Sequence, residues 1–195
     1  MRGLGVAEYR FVTSWTFTAP VERVWAEVGD PLNWKTYWAG LEDVRAIPPG
    51  AEPAPGTSYD LVFKSFLPYT LTLRARIDEH LEPSRIVMST QGELEGTAEF
   101  TVEATDDGTR TELVWTTRTT KAWMNALAFV LRDLFAWNHD VLMRRAGNGL
   151  AERLGAEVTH AEGSAPSLPR ALAPLAVPLV GAALIVGRLR RRRSL

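Results

Sequence analysis

The stretch from Lys121 to Arg145 constrains the fold more than any other part of this chain. Its apolar residues recur at steps of three and four, the spacing of one face of an α-helix. They form two adjoining rows, Trp123, Leu127, Val130, Leu134, Trp137 and Val141, then Met124, Leu131, Phe135 and Leu142. No Gly or Pro interrupts the pattern, so one helix of about 37 Å is predicted at 1.5 Å per residue. A face this wide requires a large concave surface to pack against.

The chain before this helix predicts one strand, two short helices and six further strands. Residues 9–18 alternate with one aromatic face, and the apolar spacing in 20–28 and 32–38 indicates short helices. Pro- and Gly-rich turns separate the other strands, which are expected at 41–47, 57–66, 70–80, 84–90, 94–104 and 109–119. Beyond residue 145 the helical pattern weakens at Gly147 and Gly149, with one more turn at 150–154.

These elements predict an α+β fold in which a seven-stranded antiparallel sheet wraps around the long C-terminal helix. The sheet has to curve, because a flat sheet would leave part of the wide helix face uncovered. A curved sheet closed by one helix encloses a cavity, and the two short helices after the first strand can plug its open side.

Composition excludes several kinds of site. The chain has no Cys, which excludes disulfides, thiolate metal sites and cysteine nucleophiles. Five of its 22 Lys and Arg lie in the last eight residues, so the remainder is mildly acidic and nucleic acid is not an expected partner. No metal-ligand spacing, phosphate loop or locally supported Ser-His-Asp set occurs, and no cofactor, metal ion or catalytic residue is predicted.

Aromatic residues are the first candidates for ligand contacts. Trp34, Tyr37 and Trp38 fall within five residues of each other and predict either a lid over a cavity or the core packing of a short helix. Strand and turn positions give a second group that either lines the cavity or fills its closed end: Phe63, Tyr69 and Trp115. Leu127 and Leu134 belong to the apolar face of the long helix and are expected to contact a ligand.

Polar residues of the long helix are the second group of candidates. Asn138 falls inside the apolar arc, where its amide needs a partner, either a ligand atom or a strand hydroxyl such as that of Thr116 or Thr117. Arg145 shares the central angle but lies near the helix end, where it either reaches the cavity mouth or interacts with the helix dipole. His139 falls at the border of the arc, and the sequence implies no orienting partner for a general base.

The C-terminal segment is a separate object. Residues 157–170 have linker composition, residues 171–187 carry no charge, and an Arg-rich end follows. Seventeen apolar residues span about 25 Å as a helix, slightly less than the roughly 30 Å of a bilayer core. The arginines suit anionic lipid headgroups. If residues 171–187 crossed the membrane from a cytoplasmic domain, however, the arginines would lie on the non-cytoplasmic side, against the positive-inside tendency.

We therefore expect residues 171–193 to associate with the cytoplasmic face of a membrane. A shallow or re-entrant insertion keeps both ends inside, since the first residues lack the pattern of an export signal. A spanning segment and a disordered basic tail on a cytoplasmic protein are the alternatives. The ligand-binding domain is expected to occupy residues 1–156.

The opening FVTSWTFTAPVERVWAEVGDPLNWKTYW resembles the start of a START-like domain of the SRPBCC superfamily. An aromatic strand ends in Ala-Pro and is followed by Val-x-x-Val-Trp and Asp-Pro-x-x-Trp. Pro55-Gly56 before a strand and the terminal amphipathic helix are similar to the polyketide cyclase/dehydrase branch, and the resemblance covers residues 8–155. It implies a helix-grip fold with a cavity between sheet and helix. Similar domains bind lipids, sterols or quinones, cyclise polyketides or assist other proteins, and no family-wide catalytic residue is implied.

Three functions follow as hypotheses. The first is binding of an apolar small molecule such as a lipid, quinone or polyketide in the cavity, near the membrane. The second is a cyclase or dehydratase in which Asn138, His139, Tyr69 or Arg145 position an enol or carbonyl. The third is a protein-interaction module with no ligand, marked by Phe129 and Met143 on the predicted polar side of the long helix.

Overall fold

A computed structural model describes residues 8–64, 70–120 and 122–160, and residues 122–131 by their backbone alone. The elements are β1 (Glu8–Phe17), α1 (Val21–Val28), α2 (Pro31–Trp34), β2 (Leu41–Ile47), β3 (Ser58–Lys64), β4 (Thr70–Leu81), β5 (Arg85–Gly92), β6 (Leu94–Thr105), β7 (Gly108–Thr119), α3 (Ala122–Leu154) and β8 (Val158–His160). The order agrees with the predicted strand, two helices, six strands and long helix.

One antiparallel sheet contains every described strand, in the order β2-β3-β4-β5-β6-β7-β1-β8. The prediction of an α+β helix-grip fold is confirmed. The described sheet has eight strands rather than seven, because β8 pairs with the end of β1 from Trp15↔His160 to Phe17↔Val158. This strand was not predicted, since its three residues lie in a stretch of linker composition. The division of the chain into domain, linker and hydrophobic segment stays a prediction.

The two short helices follow from local chemistry. α1 buries Val24, Trp25 and Val28 on one side, as its spacing predicts. The Asp30 carboxylate caps α2 by accepting a hydrogen bond from the Leu32 backbone N–H at 2.9 Å. α2 is shorter than the predicted 32–38, although the Trp38 N–H still donates to the Trp34 carbonyl oxygen at 2.7 Å.

The helix α3 runs without interruption through its two glycines, which corrects the predicted weakening there. A Cβ built on Gly149 would lie 2.2 Å from the Tyr37 carbonyl oxygen, and one on Gly147 would lie 2.5 Å from Nε1 of Trp15. The glycines therefore mark places where α3 touches its neighbours too closely for a side chain. They do not mark a break in the helix.

The buried face of α3 is also turned relative to the prediction. In the part of α3 with described side chains, Phe135, His139, Met143 and Leu150 are buried, whereas Trp137 and Val141 are only half-buried. At 100° per residue, these four buried positions lie on average about 125° from the centre of the predicted face. Met143, predicted on the polar side, is 5% exposed, which contradicts its proposed place on a partner surface.

None of the described helices combines the length and the apolar run needed to cross a bilayer. The predicted membrane segment, residues 171–193, lies outside the described residues.

Candidate functional site

A cavity of about 140 Å³ lies between α3 and the inner face of the sheet. Its wall is mainly aromatic and aliphatic, and eight rings contribute to it: Tyr9, Phe11, Trp34, Trp38, Phe63, Phe100, Trp115 and Phe135. Four polar side chains also line the cavity: Thr90, Thr117, Asn138 and His139. This is the composition of a site that takes a largely apolar small molecule and holds a few of its polar atoms.

Small inward-facing residues on the central strands make the space. The strand registers place Thr90 beside both Ala75 and Gly96, and Gly96 beside Thr117. One register step along, Ala98 lies between Met88 and Trp115. Because alanine and glycine replace large side chains in the middle of the inner face, the sheet and α3 do not meet there.

Two aromatic groups border the cavity. In the first, the Phe11 ring stacks on His139 with ring centroids 4.1 Å apart and also contacts Trp115 at 6.0 Å. In the second, Trp38 contacts Phe63 and Phe100 with centroid distances of 5.8 and 6.3 Å. These contacts restrict the positions of the rings in the wall.

Six of the residues that line the cavity each carry a buried side-chain N or O atom with no hydrogen-bond partner within the described protein. The atoms are Tyr9 Oη, Trp38 Nε1, Thr90 Oγ1, Trp115 Nε1, Asn138 Oδ1 and His139 Nε2. A buried donor or acceptor left without a partner costs about 1–3 kcal/mol. Only two further unpaired buried side-chain atoms occur elsewhere in the described part, on Trp15 and Tyr59. The unsatisfied groups are therefore concentrated where a ligand would lie.

The wall is electrically neutral near pH 7. Burial lowers the pKa of His139 to about 4, so its imidazole carries no charge. Burial also raises the pKa of Tyr9, an effect that the nearby Arg132 partly opposes. Among the described lining residues there is no Lys, Arg, Asp or Glu.

Five of the predicted ligand residues line the cavity: Trp34, Trp38, Phe63, Trp115 and Asn138. The Trp34 indole donates its N–H to the Val28 carbonyl oxygen at 2.8 Å, so this ring is held by core packing as well. Their contact with a ligand stays a prediction.

The structure places the remaining predicted residues elsewhere or does not reach them. Leu134 is buried but is not part of the cavity wall, because the face of α3 is turned. Tyr37 and Arg145 border a separate, shallow surface depression, and the Tyr37 hydroxyl donates to the Glu27 carbonyl oxygen at 3.5 Å. Arg145 is exposed, and its contact with a ligand stays a prediction. Tyr69 and the Leu127 side chain lie outside what the structure describes.

The side-chain oxygen of Asn138 does not form the hydrogen bond to a strand hydroxyl that the sequence offers as one explanation. The Thr117 hydroxyl donates to the Glu95 carbonyl oxygen at 3.2 Å, and Asn138 Oδ1 has no partner among the described residues. Of the two explanations offered by the sequence, the bond to this strand hydroxyl is therefore not made.

The sequence did not single out Tyr9, Phe11, Thr90 or Met143 as wall residues. Tyr9 and Phe11 were visible on the aromatic face of the first strand, but nothing local indicated that this end of the face meets α3. Thr90 carries no signal of its own, since an inward threonine looks like an ordinary strand residue. Its place follows only from the register of β5 between β4 and β6.

The described residues include no group of three or more His, Asp or Glu side chains arranged to hold a metal ion.

Comparison with known proteins gives one family and a set of similar folds. The family model described as polyketide cyclase/dehydrase and lipid transport matches residues 8–158. No curated protein matches the chain.

Three solved structures illustrate the fold similarity. Protein TTHA0849 from Thermus thermophilus has a TM-score of 0.60 at 20% identity, covering 76% of this chain and 97% of that one. The Zhui aromatase/cyclase from Streptomyces sp. R1128 has a TM-score of 0.58 at 18% identity, with coverages of 76% and 94%. The di-domain aromatase/cyclase BexL from the BE-7585A biosynthetic pathway has a TM-score of 0.59 at 16% identity, covering 77% of this chain and 51% of BexL. At these identities the likeness concerns the fold alone.

Proposed function

Because the chain belongs to the polyketide cyclase/dehydrase and lipid transport family, we propose that its cavity binds an apolar small molecule such as a polyketide, quinone or lipid. The observation that carries this proposal is the set of six unpaired polar atoms around an otherwise apolar wall. In a wall that served only for packing, each unpaired group would destabilise the fold without compensation. A ligand with matching polar atoms gives them partners.

The shape of the wall supports the same proposal. Its aromatic rings form two groups in the wall, one near His139 and one near Trp38. Rings arranged in this way favour flat, conjugated ligands, which gain stacking and edge contacts beyond their area of burial. Among the candidate ligands, quinones and aromatic polyketides fit this feature better than a flexible acyl chain.

The test is direct identification of bound compounds. Protein purified from its native host is weighed intact by native mass spectrometry, and organic extracts of it are analysed for released molecules. Calorimetric titration of extracted protein with a naphthoquinone, a fused-ring phenol and a long-chain alcohol measures affinity. We expect micromolar binding of at least one ring compound. Protein that carries no extractable compound and binds none of the three below about 1 mM would overturn the proposal.

Catalysis is the second candidate function, and one observation favours it. His139, which lines the cavity, has an uncharged imidazole with one unpaired nitrogen, and its neighbour in the chain, Asn138, has an unpaired side-chain oxygen. A neutral imidazole can take a proton from a carbon next to a carbonyl, the first step of an aldol cyclisation, although the lowered pKa makes His139 a weaker base than a free histidine. Two of the similar folds, Zhui and BexL, are described as aromatase/cyclases.

Hydrogen–deuterium exchange at the central carbon of a bound aryl 1,3-diketone tests this second candidate. If His139 acts as a base, the protein accelerates exchange measured by NMR, and His139→Phe abolishes the acceleration while the diketone still binds. Exchange no faster than in buffer rules out the proton abstraction.

The proposed place of binding is the membrane surface, through residues 171–193. The support is the uncharged stretch followed by five arginines, a composition suited to anionic lipid headgroups. Co-sedimentation of the full chain with vesicles containing phosphatidylserine measures this association. We expect binding to fall when residues 171–195 are deleted and, at physiological salt, when the five arginines are replaced by glutamine. Equal sedimentation of all three proteins would refute it.

A further inference from the structure

The unpaired atoms of the cavity wall differ in what they can bond. The indole N–H groups of Trp38 and Trp115 only donate, whereas the Asn138 oxygen only accepts. The remaining three, on Tyr9, Thr90 and His139, can do either. A ligand that satisfies the wall therefore needs at least one hydrogen-bond donor for Asn138 and acceptor atoms for the indoles. A hydroxyl group supplies both from a single atom.

The same wall gives no compensation for charge. Its described residues include no Lys, Arg, Asp or Glu, and Arg132, the cation that influences Tyr9, is exposed on α3. A carboxylate moved from water into such a wall loses its hydration without gaining an ion pair, which is strongly unfavourable. Ligands that differ only in charge are therefore expected to bind very differently.

We infer that the cavity selects an uncharged ligand bearing an O–H donor and discriminates against the matching carboxylate at neutral pH. This inference rests on the proposed ligand-binding function and narrows its substrate class to neutral hydroxylated ring compounds. Asn138, only 7% exposed and lying in the wall, is the specificity-determining residue for the donor.

Four probes of nearly equal shape separate the effects: naphthalene, 2-naphthol, 2-methoxynaphthalene and 2-naphthoate. Calorimetry at pH 7 measures each affinity for the full chain. We expect 2-naphthol to bind roughly 5- to 50-fold more tightly than 2-methoxynaphthalene, which lacks the donor. The carboxylate should bind at least about 100-fold more weakly than 2-naphthol.

Substitution of the acceptor tests the role assigned to Asn138. In Asn138→Leu the ratio of 2-naphthol to 2-methoxynaphthalene affinity should fall toward one, while naphthalene affinity is kept or increased. Leu150→Met is the matched control, because it changes a buried apolar residue of the same helix outside the cavity wall and should leave the ratio intact. Circular dichroism confirms that both variants fold, and Thr90→Val provides a second wall variant if Asn138→Leu does not.

The pH dependence of 2-naphthoate binding provides an independent measurement. The titratable groups of the wall are His139, which faces the uncharged rings of Phe11 on β1 and Trp115 on β7, and Tyr9. Neither changes its charge between pH 5 and 7. The affinity for the acid should therefore increase about tenfold per pH unit as the pH falls from 7 to 5, following protonation of the ligand alone.

The possible results separate this inference from the function on which it rests. If naphthalene binds but 2-naphthol and 2-methoxynaphthalene bind equally, the cavity binds ligands and the donor selection is wrong. If 2-naphthoate binds as tightly as 2-naphthol at pH 7, the charge selection is wrong. If no member of the series binds, the proposed function fails and the inference fails with it.

Discussion

At the scale of single residues, the chemistry of the cavity depends on two neighbouring polar side chains of α3. Asn138 is 7% exposed and His139 is 9% exposed, yet each retains one polar atom without a partner in the described protein. Buried polar side chains normally find partners, so two adjacent exceptions on one helix face indicate an unusual surrounding. The stacked Phe11 ring holds the imidazole in one plane.

His139 makes stability depend on pH in a defined direction. Its pKa of about 4 in the folded protein lies below the ordinary value of 6.5. Between these values the unfolded chain binds a proton that the folded chain does not, so stability is fully present above about pH 6.5 and is lost as the pH falls toward 4. The loss attributable to this residue is about 3 kcal/mol. Urea denaturation of the wild type and His139→Phe at pH steps from 7.5 to 4 measures it.

The variant should lose less unfolding free energy over this interval than the wild type. His160, whose pKa is also lowered, chiefly by burial, is present in both proteins and cancels in the comparison. Parallel curves for the two proteins would show that the imidazole does not control this loss.

The sequence predicted these residues unevenly. Asn138 stood out because an amide within an apolar arc is a local conflict that the helical angle reveals. The sequence predicts His139 only at the border of that arc, because the predicted face is defined by apolar residues that include Trp137 and Val141. The true face is set by what the sheet offers, and periodicity alone cannot show which of two adjoining apolar sides the sheet covers.

At the scale of elements, the contacts of α3 explain its glycines. Ordinarily, Gly to Ala within a helix increases stability by about 1 kcal/mol. At Gly149 the added Cβ would lie 2.2 Å from the Tyr37 backbone oxygen, so the helix would have to move away from the segment that follows α2.

We therefore expect Gly149→Ala to destabilise the protein by roughly 2–3 kcal/mol, the cost typical of overpacking. Thermal and urea denaturation measure the change. Glu152→Ala, an exposed substitution one turn further along the helix, should change stability by no more than about 0.5 kcal/mol. A stabilised Gly149→Ala protein would show that the close approach of α3 is absent in solution.

Local sequence patterns predict the ends of some strands correctly but give the wrong end for the helix α3 at its glycines. The strand β2 begins and ends where its alternation and flanking turns predict, because those signals are contained in the strand itself. The glycines of α3 looked like helix terminators, and only their contacts with Trp15 and Tyr37 explain them. The short strand β8 likewise depends on pairing with β1 and on the 2.7 Å hydrogen bond between His160 Nε2 and Asn148 Oδ1. Neither contact can be predicted from the spacing of residues in the sequence.

At the scale of the whole molecule, the cavity exists because the centre of the sheet is built from small side chains. Ala98 lies in the wall between Met88 and Trp115. The sequence could predict that sheet and helix enclose a space, since a curved sheet and a single helix rarely fill their interface. It could not predict the volume, which depends on register across β4 to β7.

A larger side chain at Ala98 should fill part of the cavity and weaken ligand binding without lowering the stability of the fold. We expect Ala98→Leu to weaken binding of fused-ring ligands at least tenfold, because three added carbon atoms occupy the ligand volume, and to leave the melting temperature unchanged or higher. Thr97→Leu, at the exposed neighbouring position on β6, is the matched control and should bind normally. Calorimetry and thermal denaturation measure both, and undiminished binding by Ala98→Leu would place the ligand elsewhere.

The unsatisfied groups of the wall have a consequence for the protein in a living cell. A molecule that gives partners to these groups stabilises the folded chain, and each tenfold excess over its dissociation constant adds about 1.4 kcal/mol. If the cavity binds a ligand as proposed, chains without that ligand open more often and are degraded sooner, because proteases act on the opened form. The abundance of the protein would therefore rise and fall with the supply of the compound it holds.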